Sequence, residues 1–202
     1  MALMLTVGRA FHQCRSARSV HAASALTQQR KKQPLPLSEP RELVVACPEM
    51  QSGVNLSRLV RACGCFGVSR VLYAGSRTRL HTEITRGAEE AITLDCCRSL
   101  LHPLKRFKAD GYRVVGLEQT VSSASLFSFT FPRRCVILIG HERKGVDDEL
   151  LAICDAVVEI PTYGLPHSHN ASSAGLLAVY EYCRQHTGMH TGMHTAGSRE
   201  QL

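Results

Sequence analysis

No apolar run of 18 or more residues occurs in the 202-residue sequence, which excludes a membrane-spanning helix. The dinucleotide fingerprint GxGxxG is absent as well. One loop, Gly140 to Gly145, has the glycine spacing of a phosphate cradle, but Val146 follows where a P-loop needs Lys and then Ser or Thr, so that reading is rejected. Nine cysteines are present, at 14, 47, 63, 65, 96, 97, 135, 154 and 183, yet zinc spacing is missing: Cys63-Gly64-Cys65 and Cys96-Cys97 lack the two-residue gap. Their number is odd and several lie inside apolar runs, so they read as reduced, buried thiols, with no metal site.

Acids are missing from residues 1–38, which carry Arg9, Arg15, Arg18, Arg30, Lys31 and Lys32. Together with the apolar residues Leu3, Met4, Leu5, Val7 and Phe11, this is the composition of an organelle transit peptide, with the mitochondrion the favoured destination. A generic basic tail on a cytoplasmic or nuclear protein is the alternative. A secretory signal fits less well, because the apolar run breaks at Gly8-Arg9. The formal net charge is +7, but taking these six bases from 24 leaves 18 against 17 acids. The rest of the chain is nearly neutral, so only a local basic surface, or a helper protein, can supply affinity for nucleic acid.

Residues 28–40 form a charged, Pro-punctuated linker, so residues 1–40 are expected to be tail and linker. The folded body is expected over 41–185. Residues 186–202 repeat a His-Thr-Gly-Met unit that reads as a disordered tail, in preference to a weak soft-metal site.

Within the body, buried strands are predicted at 42–47, 70–74, 112–117, 135–139 and 156–160. Helices are predicted at 55–66, 98–109, 146–154 and 171–184. The first shows Leu56, Leu59, Val60 and Cys63 at i, i+3, i+4 and i+7, with Asn55 as its expected N-cap and Gly67 as its stop. Alternating strands and helices predict an α/β fold with a mostly parallel sheet flanked by helices.

Three segments carry polar residues where a strand gives way to a helix. Asn55-Leu56-Ser57-Arg58-Leu59-Val60-Arg61 puts two arginines at i and i+3, able to grip phosphate or simply to line a solvated helix face. Gly140-His141-Glu142-Arg143-Lys144-Gly145 follows a strand at the end where ligands bind in α/β sheets. Glu142 is there either a site carboxylate or a surface acid near a helix start. Ile160-Pro161-Thr162-Tyr163-Gly164 leads to Ser168-His169-Asn170-Ala171-Ser172, where Ser168 or Asn170 can cap the last helix.

Taken together and in this order, the three segments resemble the motifs of the SpoU/TrmH methyltransferases of the SPOUT superfamily. The resemblance runs from about Glu42 to Gln185 and rests on Asn55 and Arg61, on Gly140, Glu142 and Gly145, and on Ile160, Pro161, Gly164, Ser168, Asn170 and Ser172. It is strongest toward the catalytic domain of eukaryotic tRNA guanosine 2′-O-methyltransferases, including Gly116-Leu117-Glu118-Gln119-Thr120. There are departures: Ser57 and Arg58 stand where small residues are common, His141 where Asn, Ser or Pro is usual, and His169 and Ala171 where apolar residues are usual.

The resemblance implies a C-terminal deep trefoil knot, a homodimer, and transfer of a methyl group from S-adenosylmethionine to a ribose 2′-hydroxyl of structured RNA, tRNA first and rRNA next. It implies that Leu117, Glu118, Gly140, Gly145, Ile160, Gly164, Ser168 and His169 hold the cofactor. Arg58, Arg61, Arg143 and Lys144 would meet RNA. Arg61 would orient and activate the hydroxyl, helped by Asn55, Glu142, Ser168 and Asn170, and without a metal. Other readings are a base methyltransferase of the same superfamily, a catalytically silent RNA-binding or assembly factor, and an unrelated α/β nucleotide-binding protein.

Overall fold

Central strands form where apolar residues run without a break, because both of their faces can then be buried. In the computed structural model, which describes residues 33–187, β1 (Leu43–Cys47) and β6 (Cys135–Ile139) are buried along their whole length. They pair in parallel at the centre of a seven-stranded sheet of order β3-β2-β1-β6-β4-β7-β5. The remaining strands are β2 (Arg70–Ala74), β3 (Thr93–Cys97), β4 (Arg113–Leu117), β5 (Ala124–Ser125) and β7 (Ala156–Glu159). Every strand pairing is parallel. The expected tail at 1–32, and the repeat from residue 188 on, lie outside the described residues. The chain divides after Pro36, and all the elements belong to the unit that begins at Leu37.

Alternation along β1 and β6 separates two cores, since successive side chains point to opposite faces of a sheet. Leu43, Val45, Cys47, Ile137 and Ile139 face α1 (Gly53–Cys65) and α6 (Ala171–Gln185), meeting Leu59, Val60, Val179 and Tyr182. Val44, Ala46, Val136 and Leu138 face the other way, onto Leu104 of α4 (Leu101–Ala109) and Leu150 of α5 (Asp148–Leu151). Three layers result. Helix α6 comes so close to β6 that a Cβ on Gly175 would run into Ile139 Cδ1 and lie 2.9 Å from Leu59 Cδ1.

Several expectations change in detail. Helix α1 begins at Gly53, and Ser52 is its N-cap, accepting from the Val54 N–H; Asn55 lies inside the first turn, which frees its amide for another partner. Gly67 ends the helix as expected, at φ 68. Helix α5 is a single turn, shorter than the predicted 146–154. Strand β3 and the short helices α2 (Thr82–Thr85) and α3 (Ala88–Ala91) fall in a stretch to which the sequence pattern assigns nothing. His186, predicted to open the tail, instead packs on the Tyr182 ring and faces the Phe131 carbonyl at 2.9 Å.

Cys47, Cys63, Cys135 and Cys183 are buried free thiols. Burial raises the pKa of each, that of Cys63 to about 12. They are therefore poor nucleophiles. Among the described residues no helix is long and apolar enough to cross a membrane, and no group of His, Cys, Asp or Glu could hold a metal ion.

Candidate functional site

Strands β6, β4 and β7 are neighbours in the sheet, so their carboxyl ends deliver three loops to one place. A cleft of about 240 Å³ lies there. Leu117 and Glu118 come from the end of β4, Gly140 to Arg143 and Gly145 from that of β6, and Glu159 and Ile160 from that of β7. Ser168 and His169, just before α6, close its wall. Leu117, Ile139 and Ile160 give it apolar sides, while Glu118, Glu142 and Glu159 give it carboxylates.

The loop after β6 is folded tightly. Backbone hydrogen bonds run from the His141 N–H to the Gly145 carbonyl (2.8 Å) and from the Gly145 N–H to the His141 carbonyl (3.0 Å). Gly145 has φ 70, a conformation that strains any L side chain. Glu118 is clamped under this turn: its Oε2 accepts from the Val146 N–H at 2.8 Å and its Oε1 from the Gln119 N–H at 3.0 Å. A Cβ on Gly140 would stand 2.9 Å from Glu118 Oε2 and 3.0 Å from the Gly145 carbonyl carbon. A side chain at Gly140 would therefore press on Glu118 and on the Gly145 backbone.

Beside the cleft, three segments distant in sequence are tied together. The Asn55 amide donates to Glu142 Oε1 at 3.0 Å, and the Gln51 N–H donates to Glu142 Oε2 at 3.3 Å. The Asn170 amide donates to Asn55 Oδ1 at 3.4 Å. Asn170 Oδ1 caps α6 by accepting from the N–H groups of Ser172 (3.0 Å) and Ser173 (3.3 Å), and it also accepts from the Ser172 hydroxyl at 2.7 Å. Partial burial pushes the Glu142 carboxyl up, but the donors from Asn55, its own backbone and Gln51 outweigh this and hold its pKa below the ordinary value. An ionised acceptor, two amides and a hydroxyl thus form one polar cluster whose orientation is fixed at both ends.

The structure brings Asn55, Glu142 and Asn170 together, and it places Leu117, Glu118, Gly140, Gly145, Ile160, Ser168, His169 and Arg143 on the cleft. Gly164 lies in an exposed loop with nothing within 4 Å of its would-be Cβ, away from the lining. Lys144 faces a second hollow that shares His141 as a wall. Arg58 and Arg61 are exposed on α1, and the Arg61 guanidinium donates to the Ile84 carbonyl at 3.4 Å, outside the cleft. Ser172 and Gln51 were not singled out as site residues. Ser172 carries the signal of its place in the third motif, whereas Gln51 takes part through its backbone and has no side-chain signal.

The chain matches the SpoU rRNA Methylase family over residues 42–180. It is 36% identical over 149 residues to tRNA (guanosine(18)-2'-O)-methyltransferase TARBP1 of Mus musculus, a match covering 71% of this chain and 9% of that much longer protein. It is 27% identical over 148 residues to the tRNA (guanosine(18)-2'-O)-methyltransferase of Aquifex aeolicus (strain VF5), covering 72% of this chain and 70% of that one. Among solved structures, the A. aeolicus TrmH/SpoU tRNA modifying enzyme superposes with a TM-score of 0.68 at 27% identity, over 72% of this chain and 75% of the other. The SpoU methyltransferase AviRb from Streptomyces viridochromogenes, solved in complex with AdoMet, shares the fold: TM-score 0.64, 23% identity, 75% and 63% coverage.

Proposed function

The chain belongs to the SpoU rRNA Methylase family, and from that premise we propose that it transfers a methyl group from S-adenosylmethionine to a ribose 2′-hydroxyl of structured RNA, with tRNA the first substrate class and rRNA the next. The observation that carries this reading is the Asn55–Glu142–Asn170 cluster beside a cleft at the carboxyl ends of β6, β4 and β7. Both named tRNA relatives act on guanosine 18 by their names, which favours tRNA.

The cleft residues fit the proposed cofactor. Apolar Leu117, Ile139 and Ile160 suit a purine, and the carboxylates of Glu118, Glu142 and Glu159 suit a cation. When bound, the cofactor supplies an electrophilic methyl group on a sulfonium. The protein's part is to align the attacking oxygen with that methyl and to assist loss of the hydroxyl proton. Asn55, Glu142, Ser168 and Asn170 hold the ribose side of the site in this reading, and Arg61 orients and electrostatically activates the hydroxyl.

Arg61 lies off the cleft of its own protomer, so this role requires a homodimer in which the RNA site is shared. Leu176, Leu177 and Tyr180 support such a dimer: they form one apolar strip on α6 and remain 41%, 39% and 51% exposed. The deep trefoil knot belongs to the same reading, as do an RNA-binding helper for the nearly neutral body and an organelle address in the acid-free N-terminal segment. A fusion of residues 1–40 to a fluorescent reporter tests the address; cytosolic fluorescence overturns it.

The deciding experiment incubates the protein with methyl-labelled cofactor and an unmodified tRNA transcript, digests the RNA to nucleosides and identifies the product by mass spectrometry. A 2′-O-methylated nucleoside is expected. A methylated base assigns the other chemistry of the superfamily, and cofactor binding without transfer assigns a silent factor.

A further inference from the structure

His141 opens the tight turn that leads Glu142 into the Asn55 cluster and Gly145 over Glu118. Its ring does not hang free. Nδ1 accepts from the N–H of Arg143 at 3.0 Å and is 3.3 Å from the N–H of Lys144, two and three residues on. Those donors belong to the exposed tip of the turn, whose base is closed by the paired His141–Gly145 backbone bonds. This is the hydrogen-bonding pattern of an Asx turn, in which a short side-chain acceptor captures the amides just ahead of it. The Nδ1 of His and the Oδ1 of Asn are both bonded to Cγ, so they can occupy the same point in space. Imidazole thus does here what an amide oxygen usually does.

We infer that His141 is a positioning residue: its Nδ1 acts as a turn-locking acceptor that fixes where Glu142 is presented. The consequence for methyl transfer rests on the function proposed above; the lock itself does not. An acceptor at Nδ1 requires the proton of the neutral ring to sit on Nε2. The chemical sequence runs from His141 Nδ1 to the amides of Arg143 and Lys144, from these to the shape of the turn, and from the turn to Glu142. One residue beyond His141, the Glu142 carboxylate already spans two elements through Asn55 and Gln51, so a loosened turn pulls on both. Small displacements at such a site are costly, about a hundredfold in rate for roughly 1 Å.

Asn and Gln separate this role from any other the ring could play. His141→Asn restores an acceptor at the Nδ1 position. His141→Gln instead carries its polar atoms one bond farther out, at the radius of Nε2. Two measurements on the full chain decide: amide hydrogen exchange at Arg143 and Lys144, and single-turnover methyl transfer to an unmodified tRNA transcript. Both amides are expected to exchange about fivefold faster in His141→Ala and His141→Gln, and to stay protected in His141→Asn. Transfer is expected to fall about ten- to a hundredfold in Ala and Gln and to stay within about twofold in Asn. If Gln rescues and Asn does not, Nε2 is the working atom and the inference is overturned. Unchanged amide exchange in all three variants overturns it as well. If no variant, nor the unchanged protein, methylates the transcript, the functional reading fails while amide exchange still decides the lock. Should His141→Ala fail to fold, the Asn and Gln pair carries the test.

Discussion

The amide of Asn55 donates to a carboxylate oxygen of Glu142 at 3.0 Å, joining the first turn of α1 to the loop after β6 across 87 residues of chain. The bond is charge-assisted, because the donors around Glu142 keep its pKa below the ordinary carboxylate value. A group whose pKa is lowered on folding contributes stability that is present above its unfolded value, about 4.3, and is lost as pH falls through the folded one. A double-mutant cycle of Asn55→Ala and Glu142→Gln should therefore show coupling of about 0.5–1 kcal/mol at pH 7, modest because Glu142 is partly exposed. Repeated near pH 3.5, the coupling should shrink. Denaturant titration of the four proteins at both pH values measures it, and coupling that grows on acidification contradicts the assignment.

Gly140 gives a second prediction. An added Cβ would press on the Gly145 backbone, which cannot swing away as a side chain can, and on the clamped Glu118 carboxylate. Gly140→Ala should destabilise the protein by about 1–3 kcal/mol, as overpacking commonly does, and Gly140→Val by more. Cofactor affinity should fall alongside stability. Thermal melting with calorimetry checks both: a full-stability Gly140→Val that has lost only cofactor binding would return the glycine to a ligand-facing role.

How much of this was legible in the sequence depends on the distance over which each residue acts. Strands β1 and β6 were readable because burial on both faces leaves an unbroken apolar run. The edge strand β3, Thr-Leu-Asp-Cys-Cys, has only one paired neighbour and no such run, and it went unseen. Ser52 and Asn55 are both capping residues by type. Only Glu142, far along the chain, decides that Asn55 reaches outward and Ser52 caps. Gly140 was correctly marked as special, but its reason is Glu118, 22 residues earlier. At Asn55 and Gly140 a long-range contact overrides a sound local preference, whereas β3 lacks a local signal.

The apolar strip on α6 makes a third prediction. Leu176, Leu177 and Tyr180 stand on one side of the helix and leave an apolar surface that a partner copy can cover. Leu176→Glu combined with Tyr180→Glu should convert a dimer to a monomer in light scattering, leaving the melting of the monomer fold cooperative. A double variant that stays dimeric places the interface elsewhere.

Arg61 is the sharpest case, because its position and its proposed role pull apart. It is exposed, eight residues into α1, and donates to the Ile84 carbonyl at 3.4 Å, while the cluster of Asn55, Glu142 and Asn170 lies against a cleft it does not line. If it activates the hydroxyl from across a dimer, its benefit appears mainly in the transition state. Arg61→Ala should then lower single-turnover transfer by roughly two to four orders of magnitude, with cofactor affinity nearly unchanged. Arg61→Lys should fail too, since an ammonium lacks the planar fork of guanidinium. Arg58→Ala should act more mildly, through an RNA affinity whose salt dependence is reduced by about one contact. The proposed dimer adds a decisive arm. Mixing Arg61→Ala with a protein carrying Glu142→Gln and Asn170→Ala should restore part of the activity, because one site of each mixed dimer then combines an intact arginine with an intact cluster. Recovery approaching a quarter of the normal activity after subunit exchange is the expected ceiling for random mixing. No recovery, despite proven exchange, would put Arg61 and the cluster in the same protomer's site and remove the shared-site mechanism.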